Sequence, residues 1–154
     1  MKKIWGITGI IIVLDQCIKY LFTTSITFGE SIQLIPQFFS FTLVKNTGVA
    51  FSLFAGSQIP IIVVSIVILY LLFIWVLKQK KDRWNILSFG LLFGGIIGNL
   101  LDRIFRAGVI DYLDFNLFGY DFPIFNLADI AVVIGACFLI LIMWKEERTC
   151  KSML

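Results

Sequence analysis

Long apolar stretches separated by short polar segments set the pattern of this chain. Four of them, over residues 4–22, 59–77, 84–105 and 125–144, carry few or no charged side chains. Each is close to the ~20 residues that a helix needs to cross the hydrocarbon core of a bilayer. Because backbone groups in lipid must be hydrogen-bonded within their own segment, the pattern predicts four transmembrane helices.

Composition agrees with this interpretation. Of the 154 residues, 59% are hydrophobic and only 15% are charged, and the mean hydropathy is +0.95. These values are typical of an integral membrane protein, and we expect a single domain over residues 1–154. The net charge of +3 is small. The basic residues form no groove with interleaved aromatic residues, so we expect no binding to nucleic acid.

Lysine and arginine predict the orientation in the membrane. With four spans, nine basic residues fall on the same side: Lys2, Lys3, Lys78, Lys80, Lys81, Arg83, Lys145, Arg148 and Lys151. Cytoplasmic segments carry an excess of such residues, so we expect both termini in the cytoplasm. We do not expect the first span to be a cleaved signal peptide, because Asp15 and Lys19 interrupt it and no small-x-small site follows.

The segment 23–58 then faces outward, and it is rich in β-branched and aromatic residues. The alternation in FSFTLV, residues 39–44, predicts short strands on the membrane surface. The predicted fold class is an all-α membrane protein. It has four transmembrane helices and a small extracytoplasmic β-rich cradle formed by the loop between helices 1 and 2.

Several kinds of catalytic site are absent from the sequence. The chain has no histidine, and its three cysteines, Cys17, Cys137 and Cys150, are far apart. Ser-His and Cys-His catalysis are therefore excluded, and a zinc site is not expected. We expect no metal and no cofactor.

Polar residues gather near the outer ends of the spans, where ionisable groups are costly unless they are paired or functional. Asp15 and Lys19 are four residues apart with the acid first, which favours a helical ion pair. An anchoring role for this pair is favoured over a catalytic one.

The stretch GNLLDRIFR places four polar side chains on one helix face, at Asn99, Asp102, Arg103 and Arg106. Asp102 can pair with Arg103 or with Arg106. Three glycines upstream allow a helix or a ligand to approach closely, namely Gly94, Gly95 and Gly98. A polar seam between helices and a substrate-binding face are both compatible with this pattern.

The stretch FPIFNLAD begins the fourth span. Pro123 favours a helix start just after it, and Asn126 is a good N-cap residue. Asp129 then lies in the first turn, where the helix dipole favours its ionised form. A capping acid is its simplest role, but Asp111 is close in sequence through an outer loop.

Two carboxyl groups can together activate a water molecule. The ionised one takes a proton from the water, and the protonated one polarises the carbonyl under attack. Groups held ~3 Å apart cannot both ionise, so their pKa values split. On this reasoning alone, the pair could be any two of Asp15, Asp102, Asp111 and Asp129.

Five motifs, in order, resemble the lipoprotein signal peptidase family, also called signal peptidase II. They are DQCIK in the first span, KNTGVAF in the first outer loop, GGIIGNLLDR in the third span, GVIDYLDF after it, and FNLAD at the fourth span. The resemblance covers nearly the whole chain. It implies an aspartic endopeptidase in the bacterial cytoplasmic membrane, multi-pass, with its active site at the outer face.

The resemblance selects the catalytic pair. Asp111 and Asp129 occupy the aspartates of the motifs V-[VI]-D-[FY] and F-N-x-A-D. Carried over in the same way, the substrate-binding or site-organising residues are Asn46, Gly48, Asn99, Arg103 and Asn126. Together with Gly48, Ala50 and Phe51 would shape the outer-loop cradle.

The remaining polar residues receive supporting roles. Asp15, Lys19 and Asp102 are expected to support the structure. Asp114 and Asp121 lie outside both motifs and are expected to be solvated loop acids. Ile18 stands where the family often has threonine or serine.

The substrate implied by the resemblance is a diacylglyceryl-modified prolipoprotein, cut just before its lipidated lipobox cysteine. Membrane lipid and cyclic peptide antibiotics such as globomycin are further implied partners, and a monomer would suffice. The lipid tails stay in the membrane, so the scissile bond has to lie at the outer interface.

Two other classes of protein remain open. A small transporter or channel subunit would use Asp102, Arg103 and Asp129 as an ion relay, and an assembly subunit would use the polar seams to bind partner helices. Transporters usually place such groups near the bilayer midplane and often contain internal repeats. Here the polar residues gather at one interface without a repeat, which favours a peptidase.

Overall fold

Four helices form the body of the protein. A computed structural model describes residues 1–48 and 58–151, without the side chains of 149–151. The helices in these residues are α1 (Lys2–Ser25), α2 (Gln58–Leu77), α3 (Arg83–Arg106) and α4 (Leu127–Lys151). All four are long and apolar enough to cross a membrane, so the four predicted apolar stretches are confirmed as helices. The fourth helix starts two residues later than predicted and runs past residue 144.

The helix α3 lies at the centre of the bundle, because it packs against each of the other three helices. In its most apolar window 61% of the residues are buried, against 11% in α2. A core of aliphatic and aromatic side chains joins the helices at Ile4, Val76, Phe89, Leu92, Phe93 and Leu139. The uncharged α2 therefore presents most of its surface outward, as a lipid-facing helix does.

Two glycines let α3 approach its neighbours closely. A side chain on Gly95 would collide with the backbone carbonyl of Ala128 in α4. A Cβ on Gly98 would lie 2.8 Å from Asp15 Oδ2 in α1. The close approach predicted at these glycines is thus between helices, and it brings Asp15 and the start of α4 to the same level.

A four-stranded antiparallel sheet lies at the end of the bundle where α1 and α3 finish and α4 starts. Its strands are β1 (Ser31–Ile35), β2 (Phe39–Asn46), β3 (Val109–Leu117) and β4 (Tyr120–Asp121), in the order β1-β2-β3-β4. The predicted small sheet is present, but the all-α label is too narrow. The loop between helices 1 and 2 supplies only two of these strands, and the others come from the segment between α3 and α4.

The pairing of β2 with β3 joins the two inter-helical segments. Asn46 pairs with Val109 and Val44 with Asp111, after a shift of register that follows Phe41. The Phe22 ring of α1 stacks on Tyr112 with ring centroids 4.3 Å apart. The sheet is therefore seated on the end of α1, and the start of β3 lies directly above α3.

Candidate active site

A cavity of about 1090 Å³ opens where the sheet meets the bundle. Six of the residues predicted for the site line it, namely Asn46, Gly48, Asn99, Arg103, Asp111 and Asp129. Apolar side chains of α4, including Ile130, Val133 and Ile134, line its wall along the helices. The wall along α4 is therefore apolar, whereas the part of the lining that comes from the sheet mixes polar residues such as Asn46 and Asp111 with apolar ones such as Val44 and Val109. Ala50 and Phe51 lie outside the described residues.

Asp111 is a buried carboxyl group on β3, with a relative exposure of 2%. Its Oδ1 accepts a hydrogen bond from Asn126 Nδ2 (2.6 Å), and its Oδ2 accepts one from Asn46 Nδ2 (3.1 Å). Burial raises the pKa of Asp111 to about 6, and the charge of Asp129 contributes in the same direction. The two amide donors and the charge of Lys19 oppose this rise.

The orientation of Asn46 follows from its own loop. The N–H of Gly48 donates to Asn46 Oδ1 at 3.0 Å. Because the oxygen is held there, the Asn46 amide nitrogen faces Asp111. The position of Gly48 in the sequence thus sets which end of Asn46 reaches the site.

Asp129 lies in the first turn of α4, as predicted. Its Oδ2 accepts from the backbone N–H of Asn126 (3.1 Å), and its own N–H donates to Asn126 Oδ1 (3.0 Å). This reciprocal arrangement is a capping box, and it confirms Asn126 as the N-cap residue. The remaining oxygen, Oδ1, accepts from Asn99 Nδ2 at 2.7 Å.

Asn126 connects the two carboxyl groups. It is fully buried, does not line the cavity, and contacts Asp111 through its side-chain amide and Asp129 through its backbone N–H. Its Nδ2 also lies 3.2 Å from Asn99 Oδ1. One asparagine behind the cavity wall therefore holds both acids from different elements of the fold.

A group of charges is buried behind Asn99. Lys19 Nζ lies 2.8 Å from Asp15 Oδ2, 2.7 Å from Asp102 Oδ2 and 3.0 Å from Asn99 Oδ1. The side chains of all three charged residues have no exposed surface. The predicted pair of Asp15 with Lys19 is present, and Asp15 Oδ1 also accepts the N–H of Ala128 in α4 (3.1 Å).

The partner of Asp102 on its own helix is Arg106. Residues four apart on a helix share a face, whereas Arg103 points about 100° away from Asp102. Arg103 lines the cavity instead, and its Nη1 donates to the carbonyl of Asn99 at 3.3 Å. Its Nε is buried with no hydrogen-bond partner among the described residues.

The prediction that Asp114 and Asp121 lie in loops is wrong, because both lie on strands. Asp114 is not a solvated loop acid, because it lies on β3 opposite Ser40 and accepts from Thr42 Oγ1 at 2.5 Å. The strand that carries Asp111 continues through it. Asp121 is exposed, as predicted, but it lies on β4 rather than in a loop, and it accepts from Asn116 Nδ2 at 2.6 Å.

Two further residues organise the site without having been predicted. Gln16 Nε2 donates to Asp15 and to Asp102, at 3.1 Å each, and its Oε1 accepts from Arg106 at 2.7 Å. Tyr112 accepts the N–H of Leu127 on its hydroxyl oxygen (3.1 Å), and burial raises its pKa to about 12. Gln16 lies within the DQCIK motif, which is a signal in the sequence; nothing in the sequence pattern marks the hydroxyl of Tyr112.

The site presents two carboxyl groups, each with N–H donors on both oxygens, beside a cavity. Two acids in one site can divide the roles of acid and base and activate a water molecule. Within the described parts of the chain, no group of three histidine, cysteine or acidic side chains is placed to hold a metal ion.

Comparison with known proteins agrees with the motifs. The family described as Signal peptidase (SPase) II matches residues 7–145. A lipoprotein signal peptidase of Halothermothrix orenii is 42% identical over 139 residues, which is 90% of this chain and 93% of that protein. A lipoprotein signal peptidase of Staphylococcus haemolyticus is 37% identical over 140 residues, 90% of this chain and 89% of that protein.

Solved structures show the same fold. One bacterial membrane enzyme superposes with a TM-score of 0.87 at 32% identity, over 96% of this chain and 90% of that one. A second superposes with a TM-score of 0.83 at 33% identity, over 93% of each chain. The resemblance seen in the five motifs is thus confirmed over nearly the full length, and the chain belongs to the signal peptidase II family.

Proposed function

We propose that this protein is an aspartic endopeptidase that removes the signal peptide from diacylglyceryl-modified prolipoproteins, cutting just before the lipidated cysteine. The observation that carries the catalytic type is the pair Asp111 and Asp129, which Asn126 joins beside one cavity. Family membership supports a peptidase that acts on lipoprotein precursors. It does not favour the transporter or the assembly subunit.

In the proposed reaction the two acids share one proton. The base role falls to Asp129, because it lies in the first turn of α4, where the helix dipole favours a carboxylate. Asp111 is the proposed acid, because burial and the charge of Asp129 raise its pKa to about 6, so it holds a proton more readily than an ordinary aspartate does. Asp129 removes a proton from water, and the resulting hydroxide attacks the scissile carbonyl. Asp111 donates a hydrogen bond to the carbonyl oxygen as negative charge develops there.

The tetrahedral intermediate then collapses. The C–N bond breaks, and the proton taken up by Asp129 passes to the departing amine of the lipidated cysteine. The products are a free signal peptide, with a new carboxyl terminus, and a lipoprotein that begins with the cysteine. No covalent enzyme intermediate is needed, which agrees with the absence of histidine from the chain.

The shape of the cavity supports a substrate with a helical part and a lipid part. The apolar side chains of α4 along the cavity suit an apolar helix or acyl chains. Asn46 and Arg103 line the same cavity as the two acids and can bind the peptide backbone there. A cyclic peptide antibiotic such as globomycin would occupy the same cavity. A monomer in contact with membrane lipid suffices for this reaction, as a single domain with both termini in the cytoplasm and the site at the outer face.

A cleavage assay with a lipobox peptide tests the proposal. The peptide carries the diacylglyceryl cysteine, and the same peptide without lipid is the comparison. Asp111→Asn and Asp129→Asn should each abolish cleavage of the lipidated peptide. Asp114→Asn is the matched control, since Asp114 lies on the same strand but bonds to Thr42. If wild-type protein in nanodiscs leaves the lipidated peptide intact, the proposed function is wrong.

A further inference from the structure

Lys19 is a fully buried lysine on α1 that does not line the cavity. An ammonium group has three donors, and here each has an acceptor: Asp15, Asp102 and Asn99. Two of these contacts are ion pairs, and because Arg106 also pairs with Asp102, the group contains two cations and two carboxylates. The third is made to a neutral amide, and charge balance does not require it.

The third contact decides how Asn99 is oriented. An ammonium can only donate, so the atom of Asn99 that faces Lys19 has to be the oxygen. The amide nitrogen of Asn99 is consequently turned toward Asp129, with 2.7 Å between Nδ2 and Oδ1. In the reverse orientation the Asn99 oxygen would face the carboxylate and the nitrogen would face Lys19, and both contacts would be repulsive.

Asn126 gives weaker support to the same orientation. Its Nδ2 has two hydrogens for three nearby acceptors: Asp111 at 2.6 Å, Asn99 at 3.2 Å and the carbonyl of Ile110 at 3.3 Å. The shortest contact is with Asp111, so Asn126 is only a partial donor to Asn99. Lys19 is then the principal group that holds the Asn99 oxygen.

We propose that Lys19 is a positioning residue of the peptidase site, which acts through Asn99 to present a hydrogen-bond donor to Asp129. The inference rests on the proposed function and extends it to a third helix, α1. Lys19 touches neither acid of the pair and needs no contact with substrate. Its effect on kcat is carried by one amide whose orientation it sets.

The charge of Lys19 adds an effect on pH dependence. The charged and titratable groups around Lys19 and Asn99 come from α1, α3, β3 and α4, namely Asp15, Asp102, Arg103, Arg106, Asp111, Tyr112 and Asp129. The positive charge of Lys19 lowers the pKa of Asp111. Removing that charge should move the limb of the kcat/KM–pH profile that reports Asp111 to higher pH. Replacing a lysine whose charge does not act on Asp111 would leave that limb in place.

The test compares Lys19→Met with Thr8→Val in nanodiscs, using the lipidated peptide. Thr8 is a matched control, because it is a buried polar residue on the same helix and donates to the carbonyl of Gly90 on α3 (3.3 Å). Both variants should lower Tm. Only Lys19→Met should lower kcat, by about 10-fold or more, since a misplaced catalytic group costs rate more than binding. Its KM should change by less than about 3-fold, and its pH limb should move upward.

A charge-matched double variant keeps the proposal testable if Lys19→Met alone is unstable. Lys19→Met combined with Asp102→Asn removes one charge of each sign, and it is compared with Asp102→Asn alone. Asn99→Ala then completes a double-mutant cycle with Lys19→Met. If Lys19 acts through Asn99, replacing Lys19 in the Asn99→Ala background should change kcat by less than about 2-fold.

The outcomes separate this inference from the proposed function. Wild-type protein that cleaves, with a folded Lys19→Met variant of unchanged kcat and pH profile, would refute the positioning role and leave the peptidase intact. Additive losses in the double-mutant cycle would refute it as well. A wild type that cleaves nothing would overturn the proposed function itself.

Discussion

Asn126 and Asp129 cap each other at the start of α4: each accepts the backbone N–H of the other on a side-chain oxygen, at 3.0 and 3.1 Å. A residue at the N3 position of a helix often does this for purely structural reasons. Here the capping contact uses only one oxygen of Asp129. The other oxygen accepts a hydrogen bond from Asn99, which lines the cavity. Helix capping thus fixes the rotamer of an acid that we propose to be catalytic.

The two roles of Asn126 can be separated by substitution. Serine keeps an oxygen that caps α4, but it loses the amide that donates to Asp111. We expect Asn126→Ser to lower kcat by about 10-fold or more and to keep most of the stability. Asn126→Ala should lower kcat similarly and cost a further ~1 kcal/mol for the lost cap. Cleavage rates and Tm in detergent measure both effects, and a Ser variant with wild-type kcat would contradict the role of the amide.

The coupling between the two acids predicts a pKa change. The charge of Asp129 is the second cause of the raised pKa of Asp111, after burial. In Asp129→Asn the pKa of Asp111 should therefore fall below about 6, yet stay above the value near 3.8 of an ordinary aspartate, because burial is retained. Carbon NMR of labelled aspartate, assigned by comparison with Asp111→Asn, follows this titration. An unchanged pKa would mean that the two acids do not interact.

The same shift predicts how stability depends on pH. The pKa of Asp111 is higher in the folded state than in the unfolded state. Its contribution to the free energy of unfolding is therefore complete below about pH 4 and is lost as the pH rises to about 6. A shift of this size corresponds to on the order of 3 kcal/mol. The Tm of the wild type relative to Asp111→Asn should fall between pH 4 and 6 and level off above. A difference in Tm that is constant over this range would contradict the buried, proton-holding state of Asp111.

Gly95 of α3 lies so close to α4 that we expect a larger residue at this position to push the two helices apart. A methyl group at this position would collide with the carbonyl of Ala128, one residue before Asp129. Gly95→Ala should lower Tm and cleavage together, because α4 has to move. Gly9→Ala in α1 is the control, since a Cβ there meets nothing within 4 Å, and alanine favours a helix over glycine by about 1 kcal/mol. Equal Tm values for the two variants would show that the packing of α3 against α4 leaves room for a methyl group at position 95.

The orientation that we propose, with both termini in the cytoplasm, predicts which cysteines an impermeant maleimide can label. The background variant lacks Cys17, Cys137 and Cys150. Phe118→Cys, at the fully exposed turn after β3, should be labelled in intact spheroplasts. Lys81→Cys, between α2 and α3, should be labelled only after lysis. The opposite pattern would place the sheet and the candidate site on the cytoplasmic side.

Much of the helical architecture could be predicted from the sequence, because the length and the apolar character of a span are local properties. The cap at Asn126 was also local, since it depends on Pro123 and on the spacing to Asp129. The strand β3 was not predicted. Because this segment contains Asp111 and Asp114, its sequence predicted an outer loop that carries site residues. Its pairing with β2 makes it a strand.

The assembly of the site depends on contacts that no local pattern specifies. Asn46 meets Asp111 only because β2 pairs with β3 after a shift in register. Lys19 reaches Asn99 because Gly98 lets α1 approach α3. Reasoning from residue types left four acids as candidates, and only the family motifs selected two of them.

The backbone N–H groups in the first turn of α4 bond to side chains that are synthesised before this helix. Asp15, which accepts the N–H of Ala128, precedes it by 113 residues, and Tyr112 precedes its partner Leu127 by 15. A nascent chain that has inserted only α1 to α3 therefore holds Asp111 without Asp129. With Asp111 and Asp129 as the proposed catalytic pair, proteolysis begins only when the last helix docks, and an unfinished or half-inserted chain leaves the surrounding precursors uncut.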